Sequence, residues 1–83
     1  MIQVRISPTI ANEYATRQPD YLPEKIHTSG LITLTLAEAT TLLEDAEFNS
    51  DLTAFDVGQD AMPLGAFNAY RALARQLQRT LPR

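Results

Sequence analysis

The first seven residues alternate. Ile2, Val4 and Ile6 fall on one side of an extended chain and Gln3, Arg5 and Ser7 on the other, the period-two pattern of a half-buried strand. Ser7-Pro8 ends that strand and also reads as an N-cap followed by a first helical residue. Ile10, Ala11, Tyr14 and Ala15 then recur at helical spacing, which predicts a short helix over about residues 8–17. Prolines at 19 and 23, with Thr28-Ser29-Gly30 behind them, exclude a helix interior and mark residues 18–30 as a structured loop, pinned to the body by Tyr21 and Leu22.

Leu31-Ile32-Thr33-Leu34-Thr35 alternates again and is rich in β-branched residues, so a second strand is expected. Thr35 and Glu38 match the capping box, in which each side chain satisfies the other's backbone donor, and a helix should start there. Leu36, Ala39, Leu42, Leu43 and Ala46 give it an apolar face to about Phe48, and Asn49-Ser50-Asp51 is expected to end it. Residues 52–57 read as a short third strand with Phe55 and Val57 inward, or as a loop. After Gly58, Pro63 and Gly65, the apolar positions Phe67, Tyr70, Ala74, Leu77 and Leu81 alternate three and four apart, an amphipathic helix over 64–81 that Pro82 stops.

The expected fold is α+β: one small domain over residues 1–83, with a two- or three-stranded sheet and two main helices, about 36–48 and 64–81, packed on one face. The alternative is a largely helical chain in which residues 1–35 form a hairpin or an arm. Hydrophobic residues make up 45% of the 83, but eleven of them are alanine, so large core side chains are scarce. A chain this short buries a modest share of its surface, and without disulfides or metals such domains often gain stability by self-association or by binding a partner.

Charge is segregated along the chain. The net charge of −3 combines a balanced stretch over 1–25, seven acids with no Lys or Arg over 26–70, and four arginines with no acid over 71–83. Glu44, Asp45 and Glu47 sit towards the end of the expected 36–48 helix, where the macrodipole disfavours carboxylates. Either the arginine helix packs alongside and neutralises them, or they form a surface for a basic protein partner together with Asp51, Asp56 and Asp60. Arg71, Arg75 and Arg79 form a stripe drifting about 40° per step around their helix. Such a stripe could track a phosphate backbone, although the acidic balance of the chain argues against nucleic acid.

Enzymatic chemistry has little to stand on. Without cysteine and with His27 as the single histidine, no thiolate or His-rich metal site can be assembled. Ser29-Gly30 lacks the context of a nucleophile elbow, Asp51, Asp56 and Asp60 do not follow a calcium-loop spacing, and no phosphate-cradling glycine motif accompanies Lys25. No catalytic residue, metal or cofactor is expected. No leader pattern opens the chain and no apolar run is long enough to span a membrane, so a cytoplasmic location is expected.

The leading expectation is therefore a non-enzymatic interaction protein, in the style of small bacterial or phage accessory proteins, that binds and could inhibit a protein partner through acidic residues. The alternatives are a nucleic-acid-binding regulator using Arg71, Arg75 and Arg79, or a structural subunit. A homodimer could form through Phe67, Tyr70, Ala74, Leu77 and Leu81, where neighbouring alanines would let another helix approach.

Overall fold

A computed structural model describes residues 1–55 and 64–81. Strand β1 (Ile2–Ile6) leads through Ser7 into helix α1 (Pro8–Arg17), whose first turn is capped by the Ser7 hydroxyl accepting from the Ile10 amide. The helix closes on Gln18 in the left-handed region, with its amide donating to the Tyr14 carbonyl. A short 3₁₀ helix (Glu24–His27) plants Ile26 in the core. The chain then bends at Gly30, whose φ of +116° is a conformation that side-chain-bearing residues rarely adopt. Strand β2 (Gly30–Leu34) pairs antiparallel with β1 in the register Val4 to Ile32 and Arg5 to Leu31.

Both arms of the expected capping box are formed: the Thr35 amide donates to Glu38 at 2.9 Å and the Glu38 amide to Thr35 Oγ1 at 3.1 Å. Helix α2 (Leu36–Phe55) then runs well past the expected stop at Asn49-Ser50-Asp51. The reason is visible in the side chains. Asn49 Nδ2 donates to the Asp45 carbonyl and Ser50 Oγ to the Ala46 carbonyl, four residues back. Polar groups that fold back onto their own helix in this way do not compete with it. The expected third strand over 52–57 is corrected by the same finding: residues 52–55 are helical, and 56–57 lie outside the described residues. Helix α3 (Leu64–Thr80) completes the order.

The result is α+β, a two-stranded antiparallel sheet with helices packed against one face. Val4, Ile6 and Leu34 point inward from the strands and are fully buried, while Gln3, Arg5, Leu31 and Thr33 face outward and are exposed. Helix α3 lies against α2 along its length and reaches β1, where Gln76 binds the Arg5 backbone at both ends of its amide: the Arg5 N–H donates to Oε1 at 2.8 Å and Nε2 donates to the Arg5 carbonyl at 3.1 Å. A side chain thus takes the place of a neighbouring strand on the β1 edge.

Candidate functional site

The three helices meet around a polar cluster. Helix α1 places Tyr14 and Arg17 one turn apart, α2 supplies Asp45 and Asn49 one turn apart, α3 supplies Tyr70, and the loop after α1 folds Tyr21 over the top. Asp45 is the hub. It is only 7% exposed, and its carboxylate accepts from Tyr14 and Tyr21 at 2.6 Å each, from Asn49 Nδ2 at 3.0 Å and from Arg17 Nη2 at 3.4 Å. Arg17 also donates to the Tyr70 hydroxyl, and Tyr70 in turn to Glu13 at 3.4 Å. The Tyr14 and Tyr70 rings meet edge to face with centroids 5.7 Å apart, and the guanidinium of Arg17 lies 5.1 Å and 5.4 Å from those two centroids.

The electrostatics follow from that geometry. Burial, and then the hydrogen bond and negative charge of Asp45, push the Tyr14 hydroxyl well above its ordinary pKa. Burial does the same to Tyr70, with Arg17 pulling it part of the way back. Tyr21 is raised by its bond to Asp45. For Arg17, burial works against the charge, but Tyr70 and Asp45 outweigh it and the pKa rises. The phenols therefore stay protonated and donating. Every buried side-chain polar atom among the described residues has a partner, so the cluster is held by satisfied hydrogen bonds. Its chemistry is that of a fastener between helices.

The acids expected to line one surface part company here. Asp45 is withdrawn into the cluster: positions 42, 45 and 49 lie on one face at helical spacing, and that face turns inward. Glu44 is exposed. Glu47 is half-buried and accepts from Gln78 Nε2 at 2.8 Å. Asp51 falls in the C-terminal part of α2, and Asp56 and Asp60 lie outside the described residues.

Compensation by the arginine helix takes a different form from the one expected. Helix α3 does pack beside α2, but the ion pairs among the described residues are Arg17 with Asp45 and Lys25 with Glu38 at 2.9 Å. The cation that answers Asp45 comes from α1. Arg71, Arg75 and Arg79 are all exposed along α3. Arg71 and Arg75 border a groove of about 420 Å³ beside Glu47 and Gln78, while Arg79 borders another of about 600 Å³ with Arg5, Ser29 and Gln76. Of the expected self-association face, Tyr70, Ala74, Leu77 and Leu81 are buried in the molecule's own core, and Phe67 is half-buried.

What the sequence reading missed is the outer face of α2. Leu36, Thr40, Glu44 and Phe48, four residues apart, are all exposed, Leu36 at 55% and Phe48 at 60%. With Ala39, Leu42, Leu43 and Ala46 buried on the opposite side, α2 carries large apolar side chains on its exposed side as well. The signal was present in its composition, which lacks a clean polar stripe.

Among the described residues no helix is long and apolar enough to cross a membrane, and no group of three or more histidine, aspartate or glutamate side chains could hold a metal ion. Compared with known protein families, curated proteins and solved structures, the chain matches none.

Proposed function

We propose that this chain is a non-enzymatic interaction protein that engages a protein partner through the outer face of α2. The observation that supports this reading is the exposed pair Glu44 and Phe48, one helical turn apart on α2, a large apolar side chain beside a carboxylate. An amphipathic helix face of this kind fits a partner's apolar groove, with anchors read at helical spacing. A buried Phe contributes roughly 1.5–3 kcal/mol on docking, which makes Phe48 the natural anchor. Glu44 selects a partner that places a cation opposite it, and it speeds encounter with a basic surface. Of the acids expected to bind, this reading uses Glu44 and assigns Asp45 to the fold. Occupying a partner's groove would also block it, the route by which such a protein inhibits.

The test is retention of partners by immobilised protein. Binding should be lost in both Phe48→Ser and Glu44→Lys while their circular dichroism stays that of the parent chain. Retention of the same partners by both folded variants would sink the proposal.

A second reading, nucleic-acid binding, is favoured by the exposure of Arg71, Arg75 and Arg79 without an ion pair to any described residue. It requires binding that weakens steeply with salt, by about one unit of slope for each arginine removed.

A further inference from the structure

The two edges of the sheet are treated differently. Arg5 spends both its N–H and its carbonyl on Gln76, away from β2, so Arg5 and Leu31 form a non-hydrogen-bonded pair of the ladder. Alternation then makes Val4–Ile32 and the pairs on either side of Arg5–Leu31 the bonded ones. It follows that the backbone groups of Leu31 and Thr33 point out of the sheet, away from β1. No described group answers those two donors and two acceptors, and β2 packs chiefly on β1 with a smaller contact to α2. Two of the usual guards are missing from this edge: residues 28–37 contain no charged residue and no proline.

We propose that a second copy of this chain pairs across the β2 edge, antiparallel and centred on Ile32, to make one continuous four-stranded sheet in the order β1-β2-β2-β1. The strand is complementary to itself in that register. Leu31 of one copy meets Thr33 of the other, and each such pair exchanges two N–H···O bonds, so all four outward backbone groups of each copy are used. The occupant is a second copy because the edge is uncharged in a chain of net charge −3, so two copies meet there without like charges facing. Ile32, half-buried at the rim of the core, would face its own counterpart, and Leu31, 57% exposed, would gain cover. This surface is separate from the outer face of α2 and does not depend on the function proposed for it.

The chain contains no cysteine, so a single introduced one reports the register. In the proposed pairing the two Ile32 Cα atoms lie about 4.5 Å apart, within disulfide reach, whereas the two Leu31 Cα atoms lie about 8 Å apart, beyond it. Under mild oxidation Ile32→Cys should cross-link at least tenfold faster than Leu31→Cys. Sedimentation should give the parent chain twice its single-chain mass at high concentration, Thr33→Pro the single-chain mass, and Phe48→Ser the parent's behaviour. A parent chain that stays monomeric, equal cross-linking of the two cysteine variants, or a dimer kept in Thr33→Pro and lost in Phe48→Ser would each overturn the proposal.

Discussion

Replacing Asp45 by asparagine keeps the side chain's shape and removes its charge, which isolates the role assigned to the buried cluster. The carboxylate accepts two phenol bonds at 2.6 Å, one amide bond and the contact with Arg17. An asparagine turns one of its two terminal atoms into a donor, so at least one phenol loses its charged acceptor and must turn to accept from the amide or meet water instead. Hydrogen bonds to a charged group contribute about 1.5–3 kcal/mol each. Tyr14, fully buried, counts in full, whereas Tyr21, 61% exposed, counts at the low end because water replaces Asp45. The loss of the Arg17 pair adds little, since that guanidinium is partly solvated. The expected cost is about 3–4 kcal/mol, a large share of the roughly 4–12 kcal/mol that a chain of this size holds in total.

Urea unfolding followed by circular dichroism should show the Asp45→Asn midpoint lowered by about 2–4 M, given slopes near 1–1.5 kcal/mol per molar for a small domain. Tyr14→Phe, alone, should cost about 2 kcal/mol, and much less in the Asp45→Asn background, because the two share one bond. A cost below about 1 kcal/mol for Asp45→Asn, or simple additivity of the two changes, would refute the description of Asp45 as the hub.

Alkaline pH should weaken the fold. The raised hydroxyls of Tyr14 and Tyr70 mean that the native state holds their protons more tightly than the unfolded chain does, so their contribution is complete below about pH 10 and falls as pH rises past it. The expected loss is up to about 1.4 kcal/mol per pH unit for each tyrosine, read as melting temperature against pH, and Tyr70→Phe should flatten the curve. Ordinary tyrosinate titration of all three phenols in folded protein would contradict it. Gln76→Ala should cost about 1 kcal/mol by stripping the Arg5 backbone of both its bonds, and should speed hydrogen exchange at the Arg5 amide ahead of its neighbours in β1. Glu44→Lys, on an exposed face, should change stability by no more than about 0.5 kcal/mol.

Local patterns carried much of the fold. Both strands, the Ser7 cap, the Thr35–Glu38 box and the long final helix follow from alternation and spacing within a few residues of each position. The end of α2 did not, because Asn49 and Ser50 are helix stops only when their side chains compete with the backbone, and here they bond back into the preceding turn. The cluster was less legible still. Asp45 differs from its neighbour Glu44 by a rotation of about 100° around the helix, and which of the two turns inward depends on where Tyr14, Tyr21 and Tyr70 arrive from 24 or more residues away. A charge count treats both acids alike, and only the packed helices separate the one that fastens from the one that faces solvent. Of the α3 face offered as an alternative dimer surface, Tyr70, Ala74, Leu77 and Leu81 pack in the molecule's own core.

The most direct test of the interaction reading is photo-crosslinking in cells from a benzophenone side chain placed at position 48. The account predicts a discrete protein adduct from position 48 that disappears when Glu44→Lys is added. No protein adduct from that position, with nucleic acid captured instead from the same probe at position 75, would contradict it and give the arginine face the function.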